Sequence, residues 1–344
     1  PATQFTMKVV FCTFMAVSAT DTLEKMADHV NSLGATWQAA APSRFGDFED
    51  VKQVLGTIMK GQPGYTEEGL EPRSYEGENV DIPTDFDVRT AFPDCAEVSN
   101  NIRDQSSCGS CWAFGSTEAF NDRHCIATGD KTKFSVEDTT ANCGFLQCFS
   151  MGCNGGQPGQ AWSWFKSHGV VTGGDFTDIG AGSTCAPYSL APCAHHVPAT
   201  ADYPVCPSSE YSTPSLSKCS ESSYSKAYAD DKIKATASYS LSGVANIQAD
   251  MLKYGSATAA FTVYADFPTY KSGVYTHQSG SQLGGHAIKL LGWGVEDGTD
   301  YWLVANSWNN QWGDHGTFKI ARGSNECGIE GQVSAGTAAT AAIV

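Results

Sequence analysis

Thirteen cysteines stand in this chain of 344 residues, and none of them falls between Cys12 and Cys95. So many cysteines require an oxidising compartment unless most of them bind metal. An oxidised framework from Cys95 onward predicts one large crosslinked fold, and the cysteine-free stretch before it predicts a separate module. The N-terminus points the same way. Lys8 precedes the apolar run Val9 to Val17, and Ser18-Ala19 follow it. A basic residue, a short apolar core and small residues describe a secretory signal peptide. The run is too short to span a bilayer, and no other segment approaches that length. Residues 1–19 are therefore expected to be upstream residues and a signal that starts at Met7, and Cys12 would leave with it.

Residues 20–80 form a segment of their own. Leu23, Met26, Ala27 and Val30 sit at helical spacing, and Val51, Val54, Leu55 and Ile58 repeat the pattern. An acidic, proline-bearing run from Glu67 to Asp87 closes the segment, which sets a boundary near residue 80. From Ile82 to about Gly182 the pattern is mainly helical. One helix opens near Cys111, and another spans roughly Gln160 to His168. Residues 184–230, rich in Pro, Ser, Tyr and Cys, read as a stapled loop. The last third carries short β-type runs at 259–264, 286–291 and 301–305, with Asp297-Gly298 as a hairpin turn between the last two. A helical half followed by a strand half predicts an α+β fold with a cleft between the halves. The net charge of −16 excludes nucleic acid and anionic membrane as partners and suits an acidic medium.

The segment Gln105-Ser106-Ser107-Cys108-Gly109-Ser110-Cys111-Trp112 carries the chemistry. A thiol at a helix N-terminus feels the positive end of the macrodipole, which favours the thiolate, and a neighbouring imidazolium would favour it further. Gln105 offers a side-chain amide to a developing oxyanion, together with the Cys111 N–H. Cys108 and Cys111 also form a C-x-x-C pair. A redox pair would follow a strand in a βαβ unit, and a zinc site would need a second such pair; neither pattern is visible. The base would be His286, flanked by glycines at the start of a strand. Asn306, at the end of the next strand, would fix its tautomer, and Trp308 would shield that bond from water.

These motifs resemble the papain-type cysteine peptidases, and specifically their cathepsin B-like group, over about residues 37–336. The resemblance implies a helical L domain and a β-barrel-like R domain flanking the active site. Residues 20–80 would be an inhibitory propeptide and 81–344 the peptidase domain. The residues that would work are Cys111 as nucleophile, His286 as base, Asn306 and Gln105, with no metal and no cofactor. Gly155 and Gly156 would form the wall that bonds substrate backbone. A loop at about 185–219 is similar to the occluding loop of that group, whose paired histidines, here His195 and His196, take the carboxylate of a substrate C-terminus. Asp104 is the expected partner of His195. The implied disulfides are Cys95–Cys125, Cys108–Cys153, Cys143–Cys148, Cys185–Cys219 and Cys193–Cys206, leaving Cys111 and Cys327 single.

Two departures stand out. Tyr203 replaces the basic residue that the family holds in this loop, so one clasp is expected to be missing. Gln332 takes the place of a frequent pocket glutamate. The resemblance implies endopeptidase and dipeptidyl carboxypeptidase activity in a monomer. Its partners would be protein and peptide substrates, its own propeptide and cystatin-type inhibitors, in a lysosomal, endosomal or secreted setting. No N-x-[ST] glycan acceptor occurs. The competing readings are a catalytically silent relative that acts as a binding protein, and a thiol oxidoreductase.

Overall fold

A computed structural model describes residues 22–42, 44–66, 69–194, 198–201, 203–206 and 215–339. The signal expected at 1–19 and the two loop histidines, His195 and His196, lie outside them. Among the described residues, no helix is long and apolar enough to cross a membrane.

The fold is α+β. Ten strands join in one sheet: β1 (Trp37–Ala39), β2 (Glu71–Pro72), β3 (Phe86–Asp87), β4 (Ala235–Leu241), β5 (Ala257–Tyr264), β6 (Tyr270–Tyr275), β7 (Gln282–Glu296), β8 (Thr299–Ala305), β9 (Thr317–Ala321) and β10 (Val333–Ala338). Their order is β1-β6-β9-β8-β7-β5-β10-β4-β2, and β3 pairs with β7 off this path. The long hairpin β7–β8 turns at Asp297 and Gly298, both with positive φ (49° and 79°), as a two-residue turn of the favoured hand requires. Strand β7 is longer than the run at 286–291, so His286 lies inside the strand and not at its start.

The helical half centres on Cys111–Thr128, which is buried on nearly every side, and Pro158–Ser167, which packs against it. A helix enclosed on all faces shows no single apolar stripe. Five disulfides tie the outer loops: Cys95–Cys125, Cys108–Cys153, Cys143–Cys148, Cys185–Cys219 and Cys193–Cys206. Cys111 and Cys327 carry free thiols.

The first helix, Leu23–Ser32, is capped by the Thr22 hydroxyl on the Lys25 N–H, and it buries Leu23, Met26, Ala27 and Val30. It joins the core of the strand half, and β1 adds to the sheet edge beside β6. The second helix stops at Gln53 and does not carry the apolar pattern on to Ile58. The Val54 and Leu55 N–H groups close a last turn on the Val51 and Lys52 carbonyls (3.1 and 3.2 Å), and from Thr57 onward the backbone bonds across the cleft instead. Met26→Ala should destabilise the docked first helix by about 2–5 kcal/mol, as for other buried large-to-small changes. Urea unfolding followed by tryptophan fluorescence reads this, and an unchanged midpoint would deny the contact its weight.

Candidate active site

Cys111 opens its helix directly after Ser110, with the Ala113 and Phe114 N–H groups bonded back to the Ser110 carbonyl (2.8 and 3.0 Å). The loop before it is pinned within the helical half twice, by the Cys108–Cys153 disulfide and by the Gly109 N–H on the Cys153 carbonyl (2.9 Å). On the strand side, the hairpin sets His286 Nε2 against Asn306 Oδ1 at 2.7 Å. An amide oxygen only accepts, so Nε2 carries the proton and Nδ1 is left with its lone pair. Nδ1 has no hydrogen-bond partner among the described residues. The backbone of Ala287, the next residue, faces the Cys111 thiol from the strand side and favours its ionised form. Trp308 is fully buried, with its ring 4.8 Å from the imidazole.

Gln105 is held on every polar atom. Its Oε1 accepts from the Ser307 hydroxyl (2.7 Å) and its main-chain N–H donates to the Ser307 carbonyl (3.0 Å). Its Nε2 donates to the carbonyls of Cys108 (2.7 Å) and Val54 (2.9 Å). Ser307 therefore aims the amide, a task that its place between Asn306 and Trp308 in the sequence does not announce.

Val54 belongs to the N-terminal segment, which fills the cleft. The Thr57 hydroxyl lies 3.1 Å from the Cys111 sulfur. The Gly156 N–H donates to the Gly56 carbonyl (2.8 Å), the Ile58 N–H to the Gly156 carbonyl (3.0 Å), and the Thr57 N–H to the Gly285 carbonyl (3.1 Å). Such close approach leaves several glycines no room for a side chain. A Cβ on Gly56 would run into the Gly109 carbonyl, and one on Gly156 into the Trp112 ring. Met59 lies in an apolar patch with Ala260 and Ala287, and the Lys60 N–H donates to Gln332 Oε1 (2.9 Å) at the patch's edge. At the other end, Phe45 meets the Trp308 ring edge-on at 5.1 Å. The buried Arg44 pairs with Asp104, and Arg44 also donates to the Ser106 carbonyl (3.1 Å). Asp104, expected to serve His195, is thus taken by an arginine of the N-terminal segment. A guanidinium this buried needs a carboxylate beside it. Tyr203 is not without a clasp: its hydroxyl donates to Asn310 Oδ1 at 3.2 Å.

The electrostatics follow from this cover. Burial pushes the His286 imidazolium down to about 4, with the Asn306 bond opposing. Burial pushes the Cys111 thiol up, with the Thr57 hydroxyl and neighbouring backbone groups opposing. Both shifts run against the thiolate–imidazolium pair expected from the sequence, because a cleft sealed from water penalises each charge.

Residues 82–337 match the model of the papain family cysteine proteases. The chain belongs to that family. It is 43% identical over 324 residues, 92% of each chain, to cathepsin B-like cysteine proteinase 4 of Caenorhabditis elegans. To cathepsin B-like cysteine proteinase 5 of the same organism it is 48% identical over 320 residues, 91% of this chain and 89% of that one. Procathepsin B S9 from Trypanosoma congolense superimposes with a TM-score of 0.76 at 30% identity, covering 92% of this chain and 98% of that one. This protease is made as a proenzyme, and the segment in its cleft is a propeptide.

In the closed proenzyme the pKa of His286 is lowered from 6.5, so the closed state binds fewer protons than a state open to water. Its advantage is whole above pH 6.5 and drains away as the pH falls toward 4, by on the order of 3 kcal/mol. In a Cys111→Ala chain, urea stability should fall through this window. Adding His286→Phe should flatten that part of the profile, and an unchanged slope would remove His286 as its source.

Proposed function

We propose that the processed protease is both an endopeptidase and a dipeptidyl carboxypeptidase, and that it works in an acidic lysosomal or endosomal compartment or outside the cell. Residues 20–80 are the inhibitory part and 81–344 the peptidase. The observation that carries the reading is the path of residues 54–60. A main-chain carbonyl lies on the Gln105 amide and a hydroxyl lies at the Cys111 sulfur, so the segment occupies the positions a substrate needs.

Each step follows from the groups around that path. With the cover gone, water and the helix N-terminus restore the charged pair, and the Cys111 thiolate attacks the peptide carbonyl. Gln105 Nε2 and the Cys111 N–H receive the oxyanion. His286 Nδ1 delivers its proton to the leaving amine and then takes one from the water that hydrolyses the thioester, while Asn306 and Trp308 hold the ring. Gly155 and Gly156 bond the substrate backbone, as Gly156 bonds Gly56 and Ile58. The enzyme acts as a monomer on peptides and proteins and is open to cystatin-type inhibitors. The exopeptidase activity rests on His195 and His196. Their loop is stapled by Cys193–Cys206 and by the Ala194 N–H on the Pro204 carbonyl (2.8 Å). Asp104 becomes free for a loop histidine only when Arg44 leaves.

The uncut chain should be inactive near neutral pH and should gain activity in acid with a cut close to residue 80; N-terminal sequencing with activity readings checks both. Cys111→Ala should fold and lose all hydrolysis, and retention of a tenth of the turnover would overturn the nucleophile.

Specificity gives a second test. Gln332 offers no charge to a buried arginine, and Met59 is the side chain seated beside it. Phe or Leu at P2 should therefore exceed Arg by at least about tenfold in kcat/KM, or 1.4 kcal/mol. Gln332→Glu should recover Arg, and equal rates for the wild type on both substrates would refute the pocket. His195→Ala with His196→Ala should depress dipeptide release from a free C-terminus and spare an amidated peptide. Equal loss on both would leave a plain endopeptidase.

A further inference from the structure

The propeptide also binds well away from the catalytic residues, on a surface that belongs wholly to the peptidase domain. Its strand β2 lies parallel to the edge strand β4, and the Arg73 N–H donates to the Ser240 carbonyl (2.9 Å). Two residues on, the Tyr75 N–H donates to Asn246 Oδ1 (2.9 Å). The Arg73 guanidinium lies 4.6 Å and 4.9 Å from the ring centres of Tyr239 and Tyr254, and it donates to the Tyr254 hydroxyl (2.9 Å). The Tyr75 hydroxyl reaches Asp250 Oδ2 at 2.7 Å. That carboxylate is completely buried, and its own domain holds it in place through the Arg123 ion pair and the Tyr239 hydroxyl (2.8 Å).

We propose that this face is a second peptide-recognition site of the processed protease, built for an extended segment of another polypeptide with arginine two residues before tyrosine. The proposal rests on the reading that residues up to about 80 are removed. Removal leaves β4, paired with β10 on one side, as an open edge on the other. An open edge accepts an added strand through main-chain bonds, while side-chain pockets choose the sequence. Two tyrosine faces then wait for a cation, and Asp250 waits for a hydroxyl. Because Arg123 and Tyr239 fix Asp250 independently of Tyr75, the acceptor stays oriented when the propeptide leaves, and a newcomer meets a preformed site. None of Tyr239, Ser240, Asn246, Asp250 and Tyr254 bonds the stretch 54–60, so this face and the cleft can be filled together.

The probe is a fluorescent peptide of residues 69–79. It is titrated into the full chain carrying Arg73→Ala and Tyr75→Ala, which disengages the segment in cis, after circular dichroism has shown that the variant folds. The acid-processed wild-type protease, its cleft blocked by an epoxide inactivator, is the second sample. Saturable binding is expected to both, and none to the uncut wild type, whose face is already filled. Alanine for arginine in the peptide should weaken binding at least tenfold. Tyr254→Ala in the protein should do the same and leave hydrolysis of dipeptide-blocked substrates unchanged. No saturation at millimolar peptide, or equal binding of the alanine peptide, would overturn the site. A chain that stays uncut in acid would instead fail the activation reading, and binding to the double variant would still decide this one.

Discussion

The cover laid over Cys111 and His286 by residues 54–59 governs the rest of this structure. It is made of main-chain bonds to Gly156 and Gly285, which require glycine-narrow walls, and of a hydroxyl and a carbonyl set at the sulfur and the Gln105 amide. Those bonds compete with helix formation, and they win at Gln53, where the second helix ends. Sequence sets the local preference, and the cleft overrides it because its donors and acceptors would otherwise be buried unpaired.

The same cover explains how a site meant for charge is kept uncharged. A sealed thiol and a sealed imidazole each lose the solvation of their ionic forms, and no opposite charge among the described residues makes up for it. Protonation of His286 and closure of the cleft therefore oppose one another. The anchors at the two ends differ in kind. Arg44 with Asp104 is a buried ion pair, whose removal on one side leaves a stranded charge. Arg73 among the tyrosines is a partly exposed cation on aromatic faces, closer to a recognition contact than to a lock.

Two neutral hydrogen bonds stand at the edges of the cleft: the Tyr203 hydroxyl bonds Asn310, and Gln332 meets the Lys60 N–H. A neutral hydrogen bond holds with little dependence on pH across the range in which carboxylates and imidazoles titrate. Among the described residues of this loop, two disulfides fasten it, and Ser189 bonds the Glu137 carboxylate.

The residues legible in the sequence were those whose chemistry depends on neighbours along the chain. The cysteine ahead of a helix, the glycines beside His286, the Asp297-Gly298 turn and the first amphipathic helix all follow from local backbone and side-chain rules. The α+β division was legible too, because helical and strand periodicities fall in separate halves. Ser307 aiming the Gln105 amide, Thr57 at the sulfur, Arg44 on Asp104 and the tyrosine pair around Arg73 were not legible. Each joins segments more than fifty residues apart, and no local rule states which polar groups will share one dry space. The sequence by itself determined which side chains could do the chemistry. Tertiary structure decided which of them are covered, what covers them and which protons they hold, because burial is a property of packed neighbours and not of any residue alone.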